Sequence, residues 1–522
     1  VHHQSARKVG GRRLSAALLN AASSRLLNRM AISQAGGYIT VFATLILIAA
    51  SALIILKTDV AKHFDRDAYF AARNSQSTLR LALSYFVTGM GGWVVFTVPL
   101  IGSTAGSLGV AGYTMSAIIP LIILSVIAPF MRRHLPRGVT FADFVLKRFG
   151  PAVSVYVSLI SMIYMFCLLS GEYTAVNDAS RFLLGIDGVA AAIGTAAITL
   201  AYTAVGGLPV SLLTDQIQGV AVLFVGVVVA VAILAYVPIP DGAIVSSGAA
   251  AATVDGLTTA IILIIAVTSA ELLNAGSWQR IWAAENNAAM VKGIAIACGL
   301  EIVMLVMYGV VGMAALAYFG PSLFVPDFVA HLSALFFVQE MGEGWVIITA
   351  VAVVAMVASS ADSLQNAMAA LLSSHDKVTL RGAQALTVVL NIPALVVGSL
   401  GIDVFTLLIL ADLFAASTVV PIGLGLWDRT HPRAALAGCV CGLITAFLCF
   451  IVGGSIETGS VESGLALLGF YSPASRTWLA AFLLPPTVGG IVAVGGSLVT
   501  VYKFEGYGEE QQPADELKAS KA

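Results

Sequence analysis

Apolar runs close to ~20 residues long follow one another along most of the chain, divided by short links that hold nearly all of its charge. That is the length an α-helix needs to cross the hydrocarbon core of a bilayer. The runs are continuously apolar and show no alternation of lipid and lumen faces, which argues against a strand barrel. They predict about thirteen spanning helices, at 38–56, 80–103, 111–131, 152–182, 187–205, 211–237, 257–277, 293–319, 345–373, 382–400, 404–426, 433–453 and 478–502. The expected fold class is therefore an all-α multi-pass membrane protein. Residues 37–502 form its transmembrane domain, between an N-terminal tail (1–36) and a polar, disordered C-terminal tail (503–522).

Composition agrees. Of 522 residues, 58% are hydrophobic and 11% charged, against about 25% charged in a soluble domain. Too few charges exist to coat a soluble enzyme. The net charge of −1 gives no basic face for nucleic acid. The five cysteines (Cys167, Cys298, Cys439, Cys441 and Cys449) all lie in apolar runs without a CxxC pair, and read as small packing residues.

Orientation follows from the basic links. Arg132, Arg133, Arg137, Lys147 and Arg148 lie between the third and fourth spans. Arg280 and Lys292 follow the seventh, Lys377 and Arg381 the ninth, and Arg429 and Arg433 the eleventh. Acidic links alternate with them: Asp241 and Asp255, then Asp327, Glu340 and Glu343, then Glu457 and Glu462. This pattern puts the C-terminus in the cytoplasm. The basic segment Arg7 to Arg29 disagrees, because it would have to lie outside. It resembles a transit peptide, or belongs to a fragment or an over-extended start, with Met30 a natural first residue.

A transport site at membrane depth needs peptide oxygens that no helix has used, and interrupted helices supply them. The second span contains Thr88-Gly89-Met90-Gly91-Gly92, and each glycine weakens a helix by about 1 kcal/mol relative to Ala. Close helix packing would also use such glycines. Five spans later, Thr268-Ser269-Ala270-Glu271 and Asn274-Ala275-Gly276 interrupt the seventh. The separation suits a five-plus-five inverted repeat. In the ninth span, Ser359-Ser360-Ala361-Asp362-Ser363 puts two adjacent hydroxyls and a carboxylate in lipid. Oxygen ligands without a full anionic cage fit a monovalent cation that must bind and leave. Serines that bond back to their own helix are the plain alternative. Thr214, Asp215 and Gln218 fall near one helical face and would line a cation exit, or simply mark a wet helix end.

At these residues the chain resembles the sodium:solute symporter family. The resemblance rests on Gly206-Gly207-Leu208 with Thr214-Asp215-x-x-Gln218, and on Ser359-Ser360-Ala361-Asp362-Ser363-x-x-Asn366. Tyr69-Phe70-x-x-x-Arg73, Trp278-Gln279-Arg280-x-x-Ala283-Ala284, and Trp427-x-Arg429 with Ala435-Leu436-x-Gly438 and Gly442 add to it. It implies the leucine-transporter-like inverted repeat and uptake of a small polar organic solute coupled to sodium. By position it places sodium among the carbonyls of Val87, Met90 and Met356 and the hydroxyls of Ser359 and Ser360. It makes Asp215 the acid associated with sodium release, with Asp362, Thr214 and Gln218 beside the cation pathway. Arg132-Arg133-x-x-Pro136-x-Gly138-x-Thr140 and Lys147-Arg148-Phe149-Gly150 lean toward the urea-transporter branch, so urea, an amino acid or a similar solute is expected. Gly91, Gly92, Trp93, Glu172 and Asn274 are candidate solute-lining residues. Trp93 is equally a packing aromatic. Glu271 could pair with a solute amine or take protons, and Glu301 and Asp412 raise the same question.

The partners expected are sodium, a solute and the lipid bilayer; no cofactor is expected, and the expected location is the plasma membrane. The oligomeric state is left open. A proton-coupled symporter or uniporter of the same fold is the alternative. A membrane enzyme is a distant one, since no HExxH, GxSxG or P-loop is present. A sensor built on the transporter fold is another.

Overall fold

The computed structural model describes residues 32–57, 66–320, 330–373, 379–469, 471–472 and 474–507. The expectations for residues 1–31 and 508–522 lie outside them. The described chain is helical, without a β-strand. Its principal helices are α1 (Gln34–Leu56), α2 (Arg66–Ala71), α3 (Thr78–Gly89), α4 (Trp93–His134), α5 (Phe141–Phe149), α6 (Pro151–Leu184) and α7 (Gly188–Tyr236). They continue as α8 (Val254–Glu271), α9 (Ala275–Ala283), α10 (Asn287–Phe319), α11 (Ser333–Met341), α12 (Glu343–Ser373), α13 (Leu380–Ser399), α14 (Val404–Gly423), α15 (Pro432–Leu448) and α16 (Arg476–Val499).

Among the described residues, ten helices are long and apolar enough to cross a membrane, against about thirteen expected spans. Much of the difference comes from two of the ten that run through sharp kinks. In α4 the kink is Gly106 (φ 62°) and in α7 it is Gly207 (φ 56°). A left-handed backbone here favours glycine, and each kink also needs the space. A Cβ on Gly207 would sit 2.5 Å from the Tyr69 carbonyl oxygen, and one on Gly106 would sit 2.5 Å from that of Ala249. The tight Gly206-Gly207 turn thus docks α7 on α2, where the Tyr69 hydroxyl donates to the Thr203 carbonyl at 2.9 Å.

Basic residues at the helix ends hold carbonyls and do not all face water. Arg73 pairs with Asp67 at 2.6 Å and donates to the carbonyls of Pro136, Arg137 and Gly138. Arg148, expected as an exposed orienting charge, is buried. It donates to the carbonyls of Gly425, Trp427 and Thr430 and lies over the Phe504 ring. The start of the tail expected to be disordered is packed as well. Phe504 N–H donates to the Asp428 carbonyl at 2.9 Å, and Tyr507 meets Phe130 edge-on.

The helices approach closely through small residues, as membrane bundles do. On α10, a Cβ on Gly312 would lie 2.1 Å from the Pro99 carbonyl oxygen of α4, whereas Gly299 on the lipid side has nothing within 4 Å. Gly312→Ala is expected to destabilise the protein by about 1–3 kcal/mol through overpacking. Gly299→Ala should be neutral or stabilising by up to about 1 kcal/mol through helix propensity. Apparent unfolding temperatures in detergent check this, and equal effects of the two would count against it.

Candidate functional site

The glycine-rich interruption is real backbone. Helix α3 stops at Gly89, Met90 leaves the helical region (φ −101°, ψ 68°), and the chain turns helical again at Trp93. The N-terminal end of α4 would attract an anion, and the protein supplies its own: Gly92 N–H donates to Glu172 Oε2 at 2.8 Å. Glycine is needed at both positions. A Cβ on Gly91 would fall 1.8 Å from Glu172 Oε1, and one on Gly92 would fall within 2.8 Å of Ala175 and Val357. Helices α6 and α12 therefore close on the break from two sides.

The second interruption lies between Glu271, the last residue of α8, and Ala275, the first of α9. Asn274 caps α9 by accepting from Gly276 N–H at 3.0 Å and donates to Glu271 Oε2 at 3.0 Å. The Tyr164 hydroxyl donates to the other Glu271 oxygen at 2.7 Å.

Between the two interruptions sits a fully buried ion pair. Arg280 Nη2 donates to Asp215 Oδ2 at 3.0 Å, with both side chains wholly shielded. The same guanidinium donates to Ser84 (2.8 Å) and Thr88 (2.5 Å) of α3 and to Ser363 (2.9 Å) of α12. Asp215 also accepts from Ser84 at 2.5 Å and from Ser359 at 2.8 Å. One cation and one carboxylate thus join α3, α7, α9 and α12. Arg280 is accordingly not the loop charge expected from its place in the sequence. Asp362 forms an adjoining cluster, accepting from Tyr202 (2.6 Å), Ser211 (2.7 Å) and Thr214 (3.4 Å). Thr214 and Asp215 are buried, so this is no wet helix end. Gln218 is buried too, with neither amide atom hydrogen-bonded.

The expected sodium ligands face the protein interior. Ser359 is turned to Asp215, while Ser360 lines a cavity together with Thr88 and Gly89. The Val87 carbonyl accepts from Met90 N–H at 3.2 Å, which leaves one lone pair. Both Met90 and Met356 are buried.

The cavity is walled by Trp93, Tyr113, Tyr164 and Phe405, and the carboxylates of Glu271 and Asp412 also line it. Trp93 stacks on Tyr113 with ring centroids 5.4 Å apart. Of the five residues expected to line the solute site, Trp93 is on this wall. Gly91, Gly92 and Glu172 form the turn behind it, and Asn274 backs Glu271. Sequence reasoning passed over Ser84, Tyr113, Tyr164, Tyr202 and Ser211. Aromatic or lone serine positions in an apolar run carry no signal of their own. Arg280 did carry one, because it follows an interrupted span within helical reach of Glu271.

Two broken helices, a polar cavity beside the breaks and a buried ion pair next to them are the architecture of a solute transporter. A model of the sodium:solute symporter family matches residues 69–442. The chain belongs to that family: it is an integral multi-pass membrane transporter, not an enzyme. It is 25% identical over 447 residues to a spermidine transporter of Candida albicans, covering 84% of this chain and 85% of that one. It is also 28% identical over 158 residues to sodium/glucose cotransporter 1 of Ovis aries, covering 30% of this chain and 23% of that one. The solved substrate-bound outward-open structure of a Na⁺-coupled sialic acid symporter matches with a TM-score of 0.71 at 17% identity, over 90% of this chain and 98% of that one. The expected leucine-transporter-like fold is thereby established.

Removing one partner of a buried ion pair strands the other, at about 3–5 kcal/mol. Asp215→Asn and Arg280→Gln should each destabilise the protein to that extent, and the double variant by much less than their sum. Unfolding in detergent of the two singles and the double closes the cycle; strict additivity would mean the two charges are not coupled.

Proposed function

We propose that this protein couples inward sodium movement to uptake of a small organic amine by alternating access, in the plasma membrane with its C-terminus cytoplasmic. The observation that carries the solute class is the pair Glu271 and Asp412 on a cavity walled by four aromatic rings, with no Lys, Arg or His on its lining. An ammonium group suits both features: carboxylates neutralise it, and ring faces attract it when water is excluded. A neutral solute such as urea would leave the carboxylates unmatched. The spermidine transporter among the relatives supports a cationic solute.

Sodium is assigned to the carbonyls of Val87, Met90 and Met356 and the hydroxyls of Ser359 and Ser360, with Asp215, Asp362, Thr214 and Gln218 along its exit. The contacts between the break and α12 support this reading, since Thr88 and Ser363 share a hydrogen bond at 3.2 Å. In this cycle Arg280 and Asp215 close the path on the basic side. They lie between the cavity residue Thr88 and the end where Gln76 N–H donates to the Ala283 carbonyl at 2.9 Å.

Proteoliposome uptake tests both parts, with spermidine, putrescine, urea, proline and glucose supplied under an imposed sodium or pH gradient. Amine uptake driven by sodium is expected; amine uptake that follows the pH gradient and ignores sodium would identify the proton-coupled alternative. Asp412→Asn should raise the half-saturating amine concentration about thirtyfold, as expected for losing a charge-assisted bond of about 2 kcal/mol. Replacing both Ser359 and Ser360 with Ala should raise the half-saturating sodium concentration about tenfold or more, and an unchanged sodium dependence would remove them from the ligand set.

A further inference from the structure

Glu172 of α6 is 1% exposed and sits against the first break, yet only half of its carboxylate is used there. Oε2 accepts from Gly92 N–H at 2.8 Å, whereas Oε1 is buried without a hydrogen-bond partner. The start of α4 supplies a partial positive charge through that N–H. No basic side chain acts on the carboxylate. A carboxylate in this setting is costly unless a cation meets it.

The free oxygen is aimed at the break. A Cβ on Gly91 would lie 1.8 Å from Oε1, so Oε1 lies against the residue that follows the Met90 carbonyl. Glycine at position 91 is what permits that approach. Helix α12 borders the same spot. A Cβ on Gly92 would fall 2.8 Å from Val357, the neighbour of Met356, and Ser360, one turn further on, faces the Glu172 carboxylate. Met90, Met356 and Ser360 are three of the five residues assigned to sodium above. The solute space is a poorer match for the free oxygen, because Ser360 lines that cavity and Glu172 does not.

We infer that Glu172 Oε1 is a charged ligand of the sodium site, so that the ion held by the carbonyls of the break and the α12 hydroxyls takes its one carboxylate from α6. Hard oxygen donors of these three kinds suit a hard monovalent cation. The inference rests on the sodium assignment made above and changes its character. The site becomes a formal ion pair in place of a ring of dipoles, and the ion ties α6 as well as α12 to the break.

The test measures sodium affinity on purified full-length protein in detergent, titrated with ²²Na⁺ by scintillation proximity. Glu172→Gln keeps an oxygen that can accept from Gly92 N–H and removes only the charge. It is expected to raise the sodium dissociation constant about tenfold or more, as for the loss of one charge-assisted ligand. In proteoliposomes at saturating sodium, its half-saturating amine concentration should stay within about twofold of wild type. Wild-type sodium affinity in Glu172→Gln overturns the proposal. So does a raised half-saturating amine concentration with sodium affinity intact, since Glu172 would then be a solute contact. A lower unfolding temperature in sodium-free buffer with unchanged sodium affinity also overturns it, because the residue would then only cap α4. If the glutamine variant does not fold, Glu172→Asp keeps the charge and draws it back by one methylene. Sodium binding several-fold weaker than wild type is expected there, and wild-type affinity overturns the proposal. A wild-type protein that binds no sodium would sink the coupling itself. Sodium binding that is lost in the Ser359→Ala/Ser360→Ala variant and intact in Glu172→Gln would sink this ligand alone.

Discussion

The arrangement depends on one buried guanidinium. Arg280 is fully shielded from solvent, and it meets Asp215, Ser84, Thr88, Ser363 and its own helix at once. A charge in that environment is tolerated only when nearly every donor is used. That requirement brings α3, α7, α9 and α12 to a single point. It also fixes both interrupted helices against the two that are not interrupted. The pair is weak evidence for stability, because desolvation offsets most of its attraction. It is better understood as a latch: strong when every partner is present and costly once one has moved away.

Around that latch the acids outnumber the bases. Glu172, Asp215, Glu301, Asp362 and Asp412 are buried, and Glu271 lines the cavity beside them. Each is handled differently. Asp215 has Arg280, Asp362 has four hydroxyls, and Glu172 has one N–H at a helix start while its other oxygen is unpartnered. Glu271 has Tyr164 and Asn274, whereas Asp412 and Glu301 have no donor among the described residues. Intramembrane acids are expensive and tend to mark the path of a proton, ion or substrate. Of the two acids without a donor, Asp412 lines the cavity.

Much of this was legible in the sequence, for specific reasons. Length and continuous apolarity identify spans because a bilayer forbids loose backbone, and the predicted limits 152–182 and 404–426 lie close to α6 and α14. Both interruptions were visible, since three glycines within four residues and a polar string ending in Asn274 have no place in an ordinary spanning helix. Kinks at Gly106 and Gly207 were read as separate spans because a sequence pattern shows a change of direction only through the residues that permit it. Charge was harder. Arg280 and Arg148 look like loop residues when loops are defined by their charges. Only the tertiary arrangement, which sets Asp215 and the carbonyls of Gly425 and Trp427 beside them, reveals that they are buried. Tyr113 and Tyr164 were invisible for the opposite reason: an aromatic in an apolar run is indistinguishable from packing until a carboxylate or an indole is found next to it.

The glycine break accounts for how coupling and solute recognition, as proposed, can share so little space. A continuous helix spends its carbonyls internally and has no charge to offer halfway across a membrane. Breaking it at Gly89–Gly92 creates a negative end and a positive end only a few residues apart. The positive end is met by Glu172, while the negative end has Glu301 and the cavity beside it. In the proposed cycle sodium held between the break and Ser359 and Ser360 lowers the negative potential at the α3 end. The solute ammonium then relieves the remaining charge on Asp412 and Glu271. Because Thr88 belongs both to the cavity wall and to the Arg280 latch, any shift of α3 on loading is felt directly at the bond that closes the basic side. Reciprocity between ion and solute affinity follows from that shared residue without a long relay.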